Sequence, residues 1–289
     1  MTPKRLSIIG VGLLGGSIGL ASKSAAMPCP IVGYGHRRTT LDKALASGAI
    51  DEAAESAADA VEGADLVILC TPVGLFWQIL SEIAPALAKG ALVTDVGSTK
   101  RSVVHDAAQL LPQHARFVGS HPMAGSEKRG IDFARADLFT GARCILTPDT
   151  STDPDALAAV ESFWRALGMR TTTLSPDDHD RLVCDISHLP HAVAAALVTM
   201  QDDTALPLAG KGFLDATRIA GGDAGLWRDI FLDNRDNLAA SVGRCRDTLD
   251  ALLGLLDETR GEELAKWLDA AAARRAVLLA EKLKEMNPD

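Results

Sequence analysis

The segment Ser120-His121-Pro122-Met123-Ala124-Gly125-Ser126-Glu127 sets an imidazole ahead of turn residues and a carboxylate, on what reads as a loop beyond a strand. Histidine is the side chain whose ordinary pKa lets it move a proton at neutral pH. Far upstream, Gly10-Val11-Gly12-Leu13-Leu14-Gly15 follows the apolar run Leu6-Ser7-Ile8-Ile9 and precedes a helical pattern. In that setting the first glycine permits a tight turn, the second lets backbone approach a pyrophosphate, and the third lets helix pack on strand. The helix N-terminus then presents free N–H groups and a favourable dipole to the phosphates. Gly10, Gly12, Leu13, Leu14 and Gly15 are the expected dinucleotide cradle. Together the two segments ask for a reaction that uses both a bound dinucleotide and a movable proton.

An NAD site expects an acidic residue at the end of the second strand, where it binds the ribose hydroxyls. The chain reads Gly33-Tyr34-Gly35-His36-Arg37-Arg38 there, with Gly35 in the carboxylate's place. His36, Arg37 and Arg38 offer charge-assisted hydrogen bonds to a 2′-phosphate, which favours NADP over NAD; a solvated basic loop is the plainer alternative. Thr71 and Pro72 follow another strand-like run and are expected along the cofactor groove. In Asp95-Val96-Gly97-Ser98-Thr99-Lys100, Ser98 is placed to orient a reacting group, to cap the following helix, or both.

The C-terminal part holds Ser187-His188-Leu189-Pro190-His191, two imidazoles three apart on a helix. No suitably spaced Cys or carboxylate completes a tetrahedral metal set, so no metal is expected and the two histidines are read as polar groups facing a cleft. Thr217-Arg218-Ile219-Ala220 offers a guanidinium fork for a carboxylate, and Trp227 follows. A salt bridge from Arg218 back to Asp215 is the structural alternative.

These groups need elements to hold them. Strand-like runs at Leu6 to Ile9, Ile31 to Tyr34, Leu66 to Cys70, Leu92 to Val96, Phe117 to Gly119, Cys144 to Thr147 and Thr171 to Leu174 alternate with helical patterns such as Asp155 to Leu167. That alternation predicts an α/β fold with a mostly parallel sheet covered on both faces. After Ser175-Pro176 the strand signal stops, and long helical patterns (Asn237 to Leu256, Glu262 to Leu283) run on. The expected domains are therefore 1–175, dinucleotide-binding, and 176–289, all-helical, with apolar surface enough for a second subunit. The 289 residues are 47% hydrophobic, and 29 basic against 38 acidic residues give a net charge of −9, which argues against nucleic acid as a partner. Five cysteines without a C-x-x-C pair suit a cytoplasmic protein with reduced thiols, and neither a signal peptide nor an apolar run near membrane-spanning length is expected.

Five segments, Gly10 to Ser17, Asp95 to Lys100, Ser120 to Gly125, Ser187 to His191 and Thr217 to Ala220, occur in the order and approximate spacing of the prephenate/arogenate dehydrogenases of tyrosine biosynthesis, which the chain resembles over nearly its whole length. The resemblance implies a Rossmann-type domain followed by a helical dimerisation domain, and hence a homodimer. It also implies the NAD(P)-dependent oxidative decarboxylation of prephenate to 4-hydroxyphenylpyruvate, with arogenate to tyrosine as the alternative. By matching position, His121 receives the C4 hydroxyl proton, Ser98 helps orient it, Arg218 binds the ring carboxylate and His191 lines the pocket. His188, Glu127, Asp215 and Trp227 are secondary members, and Glu127 or Asp215 would be the partner of arogenate's ammonium. With no mutase segment expected before Arg5 and no room for a regulatory domain after Asp289, the monofunctional form is expected. A β-hydroxyacid dehydrogenase or imine reductase would instead be expected to use a lysine in the helical part or to lack the histidine segment. A non-catalytic NADP-binding sensor would use His121 and Arg218 only structurally.

Overall fold

The computed structural model describes residues 3–126 and 128–286. Glu127 therefore lies outside the described residues. Among them, strands β1 (Leu6–Ile9), β2 (Ile31–Tyr34), β3 (Glu52–Ala53), β4 (Leu66–Leu69), β5 (Leu92–Asp95), β6 (Arg116–Pro122), β7 (Arg143–Thr147) and β8 (Arg170–Thr173) form one sheet in the order β3-β2-β1-β4-β5-β6-β7-β8. Neighbours run parallel except β6 and β7, which are antiparallel.

Alternation within each strand explains why both faces are covered. Leu6, Ile8, Leu66 and Ile68 join one buried cluster, and Ile9, Val67, Leu69 and Val93 join the other. Helices α1 (Leu13–Ser24), α2 (Arg38–Ala46), α3 (Ala57–Val61), α4 (Phe76–Ile83), α5 (Arg101–Leu110) and α6 (Pro154–Ala166) connect the strands. α6 starts where Asp153 accepts the Ala156 N–H at 2.8 Å, with Pro154 in its first turn.

His121 is not on a loop. β6 continues past its parallel pairing with β5 and carries His121 opposite Ile145 of β7. Antiparallel pairing lets the strand outrun the parallel part of the sheet, so the imidazole stands on hydrogen-bonded backbone.

After β8 come α7 (Pro176–Val183), a π-helical turn (Cys184–His188), α8 (Leu189–Thr199), α9 (Lys211–Thr217), α10 (Ala224–Asp233), α11 (Arg235–Leu255) and α12 (Gly261–Met286). The change of element type falls at Ser175-Pro176, whereas the two compact units are residues 1–235 and 236–289. Within the first unit α7 packs on α5 and β7. The second unit comprises most of α11 and all of α12, with Leu249, Leu253, Leu268 and Leu279 exposed.

The run Pro176–Thr199 is, by length and composition, apolar enough to cross a membrane, though it holds no uninterrupted apolar run of that length. It carries His179, Asp180, His188 and His191, all buried.

Candidate active site

A cavity of about 690 Å³ opens at the carboxyl ends of β1, β4 and β5, where parallel sheets bind ligands. Gly12, Leu13 and Leu14 line one part of it, Thr71 and Pro72 another, and Ser98, His121, His191, Arg218 and Trp227 the rest.

The glycine turn is built as its sequence requires. Gly10 has φ of +105°, and a Cβ there would lie 2.7 Å from the Cys70 carbonyl carbon; one on Gly15 would lie 2.2 Å from the Gly10 oxygen. At Gly12, by contrast, no atom lies within 4 Å of where Cβ would stand, and no side chain caps α1. The first-turn N–H groups of α1 are thus left for an anion, and a dinucleotide pyrophosphate fits this cradle.

Of the basic residues after β2, Arg38 pairs with Asp42 at 3.0 Å and Glu55 at 3.3 Å, while Arg37, among the described residues, contacts His36 and no carboxylate. Gly35 has room, its nearest neighbours to a Cβ being 3.9 Å away. None of His36, Arg37 or Arg38 lines the cavity itself.

The strand end that carries His121 is anchored through its neighbour. That neighbour, Ser120, accepts a hydrogen bond from Trp164 Nε1 at 3.0 Å and donates one to the Asp95 carbonyl. The Asp95 carboxylate accepts the Ser120 N–H at 3.0 Å and the Gly97 N–H at 2.8 Å, and it pairs with Lys100 Nζ, both side chains fully buried. One carboxylate thereby ties the turn carrying Ser98 to the strand carrying His121. Ser98 lines the cavity and does not cap α5, which begins at Arg101.

That cap comes from elsewhere in the chain. The Asp180 carboxylate accepts the N–H groups of Lys100 at 2.7 Å and Arg101 at 3.0 Å, and it also bonds His179 Nδ1 at 2.8 Å. His179 Nε2 in turn lies 2.9 Å from His121 Nδ1. Burial opposes ionisation of Asp180, but bonds from His179 and from the α5 backbone outweigh it and hold the carboxyl below its usual range. Burial pushes His179 down, and it pushes His121 well down, with His179, Lys100 and His188 adding charge repulsion. An ionised Asp180 beside neutral imidazoles fixes the protons: His179 Nδ1–H donates to Asp180, His121 Nδ1–H donates to His179, and His121 Nε2 keeps its lone pair for the cavity. Sequence reasoning missed both His179 and Asp180.

His191 stacks on Trp227, ring centroids 3.6 Å apart and planes 16° from parallel, and burial lowers its pKa. Gly222 permits this stack, since a Cβ there would lie 2.5 Å from Trp227 Nε1 and 2.9 Å from His191 Cε1. His188 is off the cavity wall; fully buried, with its pKa lowered by burial to about 4, its Nδ1 lies 3.2 Å from the Asn234 amide. Asp215 is also off the wall, exposed and paired with Lys211 at 3.0 Å. Among the described residues the carboxylate that does line the cavity is Asp223, which the sequence did not single out.

Two sequence families match in tandem: the prephenate dehydrogenase nucleotide-binding domain over residues 18–173 and the prephenate dehydrogenase dimerization domain over residues 175–270. The chain belongs to the prephenate dehydrogenase family. It is 37% identical over 271 residues to a prephenate dehydrogenase of Bacillus subtilis, covering 91% of this chain and 73% of that protein. Among solved structures, a prephenate dehydrogenase from A. aeolicus in complex with hydroxyphenyl propionate and NAD+ superposes with a TM-score of 0.90 at 34% identity, covering 96% of this chain and 99% of the other. An arogenate dehydrogenase from Synechocystis superposes with a TM-score of 0.81 at 33% identity, covering 95% and 99%. The expected fold, a Rossmann-type α/β domain followed by a helical part, is the observed one.

Proposed function

We propose that this prephenate dehydrogenase family member catalyses the NAD(P)-dependent oxidative decarboxylation of prephenate to 4-hydroxyphenylpyruvate, in tyrosine biosynthesis. The observation that carries the reading is the Asp180-His179-His121 chain, which ends on a lone pair in the same cavity as the glycine cradle. A bound nicotinamide supplies the acceptor for the C4 hydride. His121 Nε2 takes the C4 hydroxyl proton as the C4–O bond gains carbonyl character. Ser98, on the same wall, orients that hydroxyl. The bond from C1 to its carboxylate then breaks, carbon dioxide leaves, and the electron pair makes the ring aromatic. His121 returns its proton to the phenolate oxygen, so no net proton is consumed.

Arg218 binds the ring carboxylate by its position on the cavity wall, with the His191–Trp227 stack as an apolar face against the ring. These interactions orient the substrate without taking part in bond changes.

The reading extends to NADP over NAD, supported by Gly35 in the acidic position and by Arg37, whose guanidinium pairs with no carboxylate among the described residues. It extends also to a homodimer, supported by the exposed leucines of α11 and α12 and by the dimerization-domain match. The five cysteines are free thiols, which suits a reducing cytoplasm.

The test is to incubate the pure protein with prephenate or arogenate and with NAD or NADP, following absorbance of the reduced nicotinamide. Turnover with prephenate and NADP is expected to be fastest. Cofactor binding without turnover of either substrate would leave a sensor and overturn the reading.

A further inference from the structure

The cavity's charges are not evenly spread. Among the described residues its wall carries three cations, Lys128, Arg129 and Arg218, against one carboxylate, Asp223. Lys128 is turned toward the Phe133 ring, its Nζ 5.1 Å from the centroid. Arg129 instead forms an ion pair with Asp223. Asp223 is itself fixed: it is the N-cap of α10, and the Oδ1 that meets Arg129 also accepts the Leu226 N–H at 2.6 Å. A guanidinium on the segment after β6 is therefore held by a capped carboxylate on the opposite element, and both groups face the cavity. Asp223 is the less exposed of the two, its side chain 31% accessible against 55% for Arg129.

We propose that the Arg129–Asp223 pair selects the side chain of the substrate, favouring a 2-keto acid over a 2-amino acid. The assignment rests on the prephenate dehydrogenase reading and deepens it. Prephenate carries two carboxylates and no cation, so with Arg218 on the ring carboxylate a second guanidinium is needed at the far end. Arg129 keeps N–H donors beyond those Asp223 occupies and supplies it. An amino acid side chain brings an ammonium, which needs a carboxylate. Among the described residues Asp223 is the wall's carboxylate, and Arg129 already neutralises it, so an ammonium bound there must displace a guanidinium whose partner is locked by the helix cap. The side-chain carboxylate that Arg129 attracts is common to both substrates, so selection lies in what occupies Asp223.

The experiment measures kcat/KM for prephenate and for arogenate in the wild type, Arg129→Gln, Arg129→Lys, and Arg129→Gln combined with Asp223→Asn, with cofactor KM and Tm as controls. Loss of one charged hydrogen bond predicts that Arg129→Gln lowers kcat/KM for prephenate about tenfold to a hundredfold. Because Asp223 is then uncovered, the arogenate-to-prephenate ratio rises by about tenfold or more. Arg129→Lys keeps the charge and holds the wild-type preference. The double variant loses the arogenate gain, because the ammonium no longer finds a carboxylate. Equal losses on both substrates in Arg129→Gln, or a ratio gain that survives Asp223→Asn, overturn the assignment. A wild type inactive on both substrates overturns the underlying function instead, so the two failures are distinct.

Discussion

Replacing His179 with Phe tests the proton chain at a residue that touches no substrate. The ring is fully buried and comparable in shape, and Asp180 keeps both α5 N–H bonds, so the helix cap survives. What disappears is the acceptor 2.9 Å from His121 Nδ1. A buried Nδ1–H with no partner costs about 1–3 kcal/mol. His121 escapes that cost by moving its proton to Nε2, which puts a donor where the substrate hydroxyl needs an acceptor. At about 1.4 kcal/mol per decade, the base-competent tautomer falls about 5-fold to 150-fold, and kcat falls with it. His179→Gln returns a carbonyl oxygen and should recover part of the loss. The assay is kcat at saturating substrate and cofactor, with cofactor KM and Tm alongside. If His179→Phe is folded and its kcat stays within about twofold of wild type, the chain serves only to fix the structure and the tautomer argument is wrong.

Other predictions follow from the same geometry. Because burial first, and then neighbouring positive charge, depress the His121 pKa, the neutral base persists as pH falls through 6.5, and the acid limb of the kcat/KM profile should lie below that value. A limb at or above it would place the titration on another group. The stability linked to His121 and His179 has the same sign, present above the ordinary histidine pKa and lost as pH drops below it, which a Tm series against pH measures. Gly35→Asp places a carboxylate in open space beside Arg37 and should shift the ratio of kcat/KM for NADP to that for NAD by about tenfold or more toward NAD; an unchanged ratio removes Arg37 from phosphate binding. Gly10→Ala forces a side chain into left-handed backbone and onto Cys70, so it should lower Tm and weaken cofactor binding together, as thermal melts with and without cofactor would show.

Much of this architecture was legible because strand and turn signals are local. The runs at Leu6–Ile9 and Ile31–Tyr34 end where their patterns end, and Gly10 and Gly15 sit where no side chain fits. β3 was missed because two residues, Glu52 and Ala53, are too few to show a period. The turn residues after His121 suggest a loop, and only the partner strand β7, more than twenty residues on, turns it into β-structure. His179 and Asp180 were invisible for a similar reason. In sequence they belong to the acidic first turns of α7, an ordinary solvated helix start. Asp180 acts by capping α5, about eighty residues away, and His179 by bridging Asp180 to His121, pairings no local pattern encodes. Asp215 stands out in the sequence by its spacing from Arg218, but helical spacing does not say which carboxylate faces a cavity, and Asp223 carries no such local signal.

The most direct test of the account is a single-turnover measurement of nicotinamide reduction with saturating prephenate and NADP, comparing wild type with His121→Asn. The proton chain predicts a hydride-transfer rate lowered by about two orders of magnitude or more, with cofactor affinity unchanged. A rate equal to wild type would show that the C4 proton leaves by another route and that His121 is not the base.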